Sequence, residues 1–234
     1  MQHRSTTSDA RESILQSIRA NLAASVPHDA IEHEIHHAAA QGRLAVPISS
    51  SGLSLVNLFK TSLEAVDGHC IVVCGELEVA STLGGILKRL QGTRLRARRI
   101  AISESAGLDD LLTRSGCEFD EVGVTPSASD VFRFDVGISR AQGCIAETGT
   151  LLLDSSRERN RLVSLVPPVH IALVNASQIV GTLGEALSSL RQTEPVSAIV
   201  TLVTGPSRTA DIELTLAIGV HGPQELYVII NEGE

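Results

Sequence analysis

The polar residues best placed to do chemistry lie in two segments in the C-terminal half of this chain. In the first, residues 146–150, Glu147 follows an apolar run and precedes a Thr-Gly-Thr turn. A carboxylate at the end of an apolar strand costs desolvation free energy unless a partner satisfies it. Gly149 permits a turn with exposed backbone N–H groups, and Thr148 and Thr150 add hydroxyl donors, so we predict that all three bind an anion. The structural alternative is a tight hairpin in which Glu147 bonds to backbone amides.

The second segment, residues 205–213, reads Gly-Pro-Ser-Arg-Thr-Ala-Asp-Ile-Glu and follows a predicted strand. We expect a short helix to begin there, with Ser207 or Thr209 as its N-cap. Free N–H groups at a helix N-terminus bind carboxylates and phosphates, and Arg208 would add a bidentate fork for a planar anion. The structural alternative is a capped helix with an internal Arg–Asp pair. The ligand-binding residues predicted in this segment are Gly205, Ser207, Arg208, Thr209, Asp211 and Glu213.

A histidine between two glycines is the third candidate feature. His221 stands in the sequence Gly-Val-His-Gly-Pro, on a loop before the last predicted strand. An imidazole in such a loop is poorly placed for core packing and can donate or accept a proton near neutral pH. A turn histidine that bonds to the backbone is the alternative. Glu147 and His221 are therefore the candidate catalytic residues.

Residues 33–37 read His-Glu-Ile-His-His and match the H-E-x-x-H pattern of zinc metalloproteases. Helical geometry places His33 and His37 nearly opposite the apolar stripe of their own helix, so both should face water. Ala40 and Arg43 stand where the extended pattern requires a glycine and a third histidine. We therefore predict a solvated helix face that binds metal only adventitiously, and no metal site.

Composition and periodicity predict the fold. The chain is 43% hydrophobic but has only four Phe, one Tyr and no Trp, so aliphatic residues must form the core, as in a largely parallel sheet covered by helices. Apolar runs and helical periodicity alternate, which predicts strands over residues 69–74, 97–102 and 117–124 and helices over 53–66, 79–90 and 107–115. Further strands are predicted over 135–140, 144–147, 149–154, 169–174, 198–203 and 226–230, with a helix over 182–190.

The predicted class is α/β, with a mixed, largely parallel sheet flanked by helices. We expect its sites at the carboxyl ends of strands, where the chain switches direction. Helices are also predicted over residues 9–24 and 29–42, before the Ser- and Pro-rich stretch 47–54. The predicted organisation is an N-terminal helical extension over residues 1–46 and an α/β domain over 47–234.

Charge and cysteine usage exclude several classes of protein. The net charge is −8 and aromatic residues are scarce, which argues against a nucleic-acid partner. No run is long enough for a membrane span, and the first residues lack the apolar core of a secretory signal. The four cysteines form no C-x-x-C pair, so we expect reduced thiols and a cytoplasmic location.

Four motifs together resemble the lactate-utilization (LUD) domain family over about residues 9–231. They are Ala-Glu-Thr-Gly-Thr-Leu from residue 146, Pro-Pro-Val-His-Ile around His170, the segment 205–213 and Gly-Val-His-Gly-Pro around His221. The resemblance implies the fold of the ribose-5-phosphate isomerase, CoA-transferase and formyltetrahydrofolate cyclo-ligase group. It maps family positions onto Glu147, Thr148, Gly149, Gly205, Ser207, Arg208, Asp211, Glu213 and His221. His170 lies within an apolar run and is predicted to be a core histidine.

The resemblance also implies a role in bacterial oxidation of L-lactate to pyruvate, together with iron–sulfur partner proteins. This chain has no C-x-x-C-x-x-C run, so no intrinsic cofactor is predicted and the clusters are expected on the partners only. Two alternatives stay open. The first is a free-standing CoA-transferase- or cyclo-ligase-like enzyme for a phosphorylated or CoA-linked substrate, with Glu147 as nucleophile or base. The second is an assembly protein without a ligand. Catalytic competence and a homo-oligomeric state also stay open.

Overall fold

The computed structural model divides the chain into two compact units, Met1–Pro47 and Ile48–Glu234. The structure describes residues 5–24, 54–103, 107–157, 160–191, 199–210, 216–218 and 222–233. In the first unit, helix α1 spans Ser5–Ala24, where the sequence predicts a helix over 9–24. The predicted helix over 29–42, with its H-E-x-x-H pattern, lies outside the described residues.

The described part of the second unit contains twelve strands, five further α-helices and two short 3₁₀ helices, Val131–Arg133 and Ala176–Gln178. In chain order the strands are β1 His69–Val73, β2 Arg99–Ile102, β3 Glu121–Val124, β4 Val136–Arg140, β5 Gly143–Ile145, β6 Thr150–Asp154, β7 Val169–Asn175, β8 Ile179–Val180, β9 Val200–Val203, β10 Arg208–Ala210, β11 Leu216–Ile218 and β12 Glu225–Asn231. The helices are α2 Leu55–Glu64, α3 Glu76–Gln91, α4 Leu108–Arg114, α5 Leu162–Leu165 and α6 Leu183–Arg191.

The strands form three sheets rather than the one mixed sheet that the sequence predicts. The main sheet is six-stranded and parallel, in the order β1-β12-β7-β4-β2-β3. Separate from it are a four-stranded mixed sheet, β8-β5-β6-β9, which we call the small sheet, and the antiparallel pair β10-β11. The class is α/β as predicted. Strands β5 and β6 leave the main sheet because short turns join them to β4 and to each other, with no crossover helix between them.

Both faces of the main sheet are buried, which explains why its strands are almost uniformly apolar. Helices α3 and α4 cover one face, where Leu83 and Leu87 pack with Ile100, Ile138 and Ile171. Helix α2 and the small sheet cover the other face, as the cluster that contains Phe59, Leu63, Leu151, Ala172 and Val228 shows. The fold therefore has aliphatic layers on both sides of one sheet.

The cysteines behave as the sequence predicts. All four are free thiols, and Cys70 and Cys144 are buried in the cluster beneath α2 and the small sheet. Burial raises the pKa of the Cys70 thiol to about 12 and raises that of Cys144 as well, so both are protonated and unreactive. Across the described part of the chain, no helix combines the length and the apolar character needed to cross a bilayer.

Candidate functional site

The three loops that the sequence singled out are joined to one another. A chain of hydroxyl groups links the first two, because Thr150 Oγ1 lies 2.7 Å from Thr148 Oγ1 and 2.7 Å from Thr204 Oγ1. The second loop is tied to the third where the Ser207 N–H donates to the Pro223 carbonyl at 2.8 Å. We call residues 146–150, 204–208 and 222–223 the three-loop cluster.

The position of the three-loop cluster corrects the predicted location of the site. In the small sheet it follows the carboxyl ends of β5 and β9, in line with the prediction. In the main sheet, however, it lies at the opposite edge, where strands begin. Pro223 comes just before β12, and the Gln224 N–H donates to the carbonyl of Pro168, just before β7. The carboxyl edge of the main sheet is therefore not occupied by these loops.

Glu147 is exposed and hydrogen-bonded to backbone groups. Its Oε1 accepts the Leu183 N–H at 2.8 Å, at the first residue of α6, and its own N–H donates to the Gly181 carbonyl at 3.1 Å. A carboxylate at a helix N-terminus satisfies an otherwise free N–H group and interacts favourably with the helix dipole. The side chain thus caps α6, as in the alternative in which Glu147 bonds to backbone amides. The carboxylate is nevertheless exposed to solvent.

We expect Glu147→Ala to lower the free energy of unfolding by about 1 kcal/mol, because it removes this cap. Glu147→Gln should lose less than half as much, since an amide oxygen can accept the same N–H. Urea denaturation followed by circular dichroism measures both values. Equal losses would mean that the negative charge, rather than the hydrogen bond, stabilises α6.

Gly149 lies closer to the backbone of α2 than a residue with a side chain could. Its φ is +64°, and a Cβ added there would lie 2.3 Å from the Leu63 backbone nitrogen in α2. The turn is therefore shaped by packing against α2. The pattern Thr-Gly-Thr predicted the turn correctly, but its glycine is required by this contact.

The predicted helix after residue 206 is wrong. Residues 208–210 form strand β10, which pairs antiparallel with β11. The N–H group of Ser207, which a helix N-cap would leave free for an anion, is bonded to Pro223. Before the strand, Gly205 turns with a φ of +80° against Val66. A segment this short is helical or extended according to its partner, and here β11 supplies one.

Arg208 forms an ion pair with Asp67, in the turn before β1. Its side chain is 37% exposed and that of Asp67 is 76% exposed, so solvent screens the pair. Sequence reasoning missed Asp67, although the Asp67-Gly68 dipeptide before a strand is a turn signal that could have marked it. The remaining predicted site groups, which are Asp211, Glu213, His221 and the side chain of Thr209, lie outside the described residues.

His170 lies in the core, on β7. It is fully buried, and its Nε2 lies 2.8 Å from Ser139 Oγ on β4. Its Nδ1 has no hydrogen-bond partner among the described residues, and burial lowers the pKa of the imidazole to about 4. The Ser139–His170 pair has the distance of a nucleophile and its base, but both side chains are closed to solvent. The pair is therefore a buried hydrogen bond between two strands of the core.

Within the described ranges, no group of three or more His, Cys, Asp or Glu side chains could hold a metal ion. The three-loop cluster itself offers hydroxyl groups, the carboxylate of Glu147 and the guanidinium of Arg208. Hydroxyl groups and a guanidinium can bind an oxyanion, whereas Glu147 and Asp67 would repel one.

Comparisons with known proteins agree with this fold. The family model described as LUD domain matches residues 56–230. Lactate utilization protein C of Bacillus subtilis is 32% identical over 182 residues, which span 70% of this chain and 76% of that protein. An uncharacterized protein of Neisseria meningitidis is 47% identical over 96 residues, and the match spans only 41% of each chain. The crystal structure of a DUF162 family protein from Deinococcus radiodurans covers 76% of this chain and 96% of its own, with a TM-score of 0.54 and 23% identity.

Proposed function

Because this chain belongs to the LUD domain family, we propose that it is a component of a bacterial L-lactate utilization system, in which it binds a small anionic ligand. The Bacillus subtilis relative, whose name states lactate utilization, supports the pathway. The chain has no C-x-x-C-x-x-C run of cluster ligands. We therefore include iron–sulfur partner proteins in the proposal, as the acceptors of the electrons released when L-lactate becomes pyruvate.

The observation that carries the ligand proposal is that the three loops are joined to one another and that one of them carries the partly exposed guanidinium of Arg208. Arg208 comes directly after Ser207, which is tied to the third loop, and the Thr148, Thr150 and Thr204 hydroxyls connect the first loop to the second. A small carboxylate would replace the carboxylate of Asp67 on Arg208. Since that ion pair is exposed, exchanging one carboxylate for another costs little free energy.

Two variants test this exchange in opposite directions. We expect Arg208→Ala to weaken binding of L-lactate or pyruvate by about tenfold or more, because the bidentate cation is lost. Asp67→Asn should strengthen binding severalfold, because the competing carboxylate is removed. Isothermal titration calorimetry on the purified chain measures both affinities.

Arg133→Ala is the matched control for Arg208→Ala, since Arg133 is another exposed arginine in an ion pair, with Glu121. It should leave the affinity for both acids unchanged. Binding of L-lactate and pyruvate that is the same in Arg208→Ala and in the parent chain would contradict the ligand proposal. The pathway is tested separately, by co-purification from the native host and an assay of lactate-dependent electron transfer with and without this chain.

One observation favours a second candidate, a CoA-transferase-like enzyme. Only one oxygen of the exposed Glu147 carboxylate is hydrogen-bonded to the described residues. The other oxygen can attack the thioester carbonyl of an acyl-CoA, which breaks the C–S bond, forms an acyl-glutamyl anhydride and releases the CoA thiolate. Incubation with acyl-CoA would then give a covalent mass shift in the parent chain and none in Glu147→Gln. If no acyl-CoA gives an adduct, this alternative fails, while the binding role of Arg208 is untouched.

A further inference from the structure

The carboxyl edge of the main sheet has a topological switch point that the three-loop cluster does not use. From β2 the chain passes through α4 to β3 on one side, and from the neighbouring β4 it passes through β5 and β6 to β7 on the other side. Open parallel sheets bind ligands at the carboxyl edge where neighbouring connections diverge in this way. The last residue of β4, at this edge, is Arg140.

Arg140 is a cation with few partners. Within the described ranges its ion-pair partner is Glu76, whose Oε1 lies 4.0 Å from Nη2, which is too far for a hydrogen bond. Its Nε is fully buried and has no hydrogen-bond partner among the described residues. The side chain is nevertheless 30% exposed, so the outer side of the guanidinium reaches solvent. Structures rarely leave a buried donor unsatisfied, and an ordered water or a bound ion is the usual partner where the protein itself supplies none.

One glycine lies beside this guanidinium, and a second precedes Glu76. A Cβ added to Gly107, which has a φ of +81°, would lie in ordinary van der Waals contact with Arg140 Nη2, 3.6 Å away, so Gly107 lies directly beside the guanidinium. Gly75, before α3, has a φ of +93° and nothing within 4 Å of the position of a Cβ. No side chain caps the N-terminus of α3 at that turn, next to Glu76. Among the described residues, the guanidinium of Arg140 is thus bordered by Gly107, before α4, and by Glu76, at the start of α3.

We propose that the carboxyl edge of the main sheet binds an oxyanion, a phosphate or carboxylate group, through Arg140. The guanidinium supplies a charged fork for two oxygens, and the uncapped first turn of α3 adds a favourable dipole nearby. Among the described residues, Glu76 places a carboxylate within ion-pair distance of the guanidinium, and this carboxylate competes with the ligand. This site lies at the edge of the main sheet opposite to the three-loop cluster, and it does not depend on the proposed function.

Titration of the purified chain with inorganic phosphate and with acetate, by isothermal titration calorimetry, tests this site. We expect Arg140→Gln to weaken binding of the preferred anion by about tenfold or more, because the charged fork is lost. Glu76→Gln should strengthen it severalfold. Arg133→Gln and Glu121→Gln are the matched controls, since they make the same charge changes in an ion pair at β3 and should leave the affinity unchanged.

The outcomes separate the two sites. Arg208→Ala should retain the binding that Arg140→Gln loses, so the three-loop proposal can fail while this one stands. Preference for phosphate would assign a phosphorylated ligand, and preference for acetate a carboxylate. Binding that is equal in Arg140→Gln and the parent, or no binding of either anion, would overturn the proposal. If Arg140→Gln does not fold, the exposed Glu76→Gln decides, and an unchanged affinity there counts against the site.

Discussion

Gly149→Ala is expected to lower the free energy of unfolding by roughly 4 kcal/mol, which combines backbone strain with overpacking. The residue has a φ of +64°, which an alanine adopts only with strain. The new Cβ would also lie 2.3 Å from the Leu63 nitrogen and 2.6 Å from its Cα. Because both atoms belong to the backbone of α2, no rotamer change relieves the clash. The loop and α2 must separate, and the first loop of the three-loop cluster moves with them.

Gly116→Ala is the matched control for Gly149→Ala. Gly116 has the same φ of +64°, but nothing lies within 4 Å of an added Cβ. It should therefore cost only the backbone term, about 1 kcal/mol. Urea denaturation of the two variants and the parent gives both values. If the two variants lose equal stability, the contact between the loop and α2 does not select the glycine.

The stability of the protein should fall by about 3 kcal/mol as the pH is lowered from about 6.5 to about 4, through one buried imidazole. The folded pKa of His170 is about 4, against an ordinary value of 6.5, because the site is fully buried. Between these values the unfolded chain binds a proton that the native chain excludes, so protonation favours unfolding. The contribution is fully present above pH 6.5 and is lost as the pH falls through the folded pKa.

Comparison with His170→Gln isolates this effect, because the carboxylates titrate alike in both proteins. The unfolding free energy of the variant should depend less steeply on pH between 6.5 and 4. Ser139→Ala is the second comparison, since it removes the partner of Nε2 but keeps the imidazole buried. It should lower stability while keeping the steep pH dependence. Parallel pH curves for the parent and His170→Gln would refute the assignment.

Local patterns were enough to predict most of the secondary structure. The apolar run before Gly75 predicts a strand over 69–74, and the structure has β1 at His69–Val73. Helix α3 begins at Glu76, a few residues before the predicted start at 79, because acidic residues in the first turn favour a helix N-terminus. These elements depend on their own periodicity, since each buries a continuous apolar face whatever its neighbours are.

The segment after Gly205 has a conformation that local patterns do not predict. Its residues suit a capped helix, yet it forms strand β10 because β11 pairs with it. The partner of Arg208 is Asp67, which precedes the first strand of the main sheet and is distant in the sequence. Neither pairing leaves a local signal in the segment, because each depends on another part of the chain that the tertiary fold brings next to it.

The sequence by itself determined that turns follow residues 146 and 205, that the fold is an aliphatic α/β fold and that the thiols are free. Apolar spacing, turn residues and cysteine spacing are local properties, so they can be read without the tertiary structure. The tertiary structure alone decided which edge each loop occupies. It placed the three-loop cluster where strands of the main sheet begin, and it left Arg140 at the carboxyl edge between diverging connections. Strand order causes this difference, because it is set by the burial of both faces of the main sheet at once and not by any single segment.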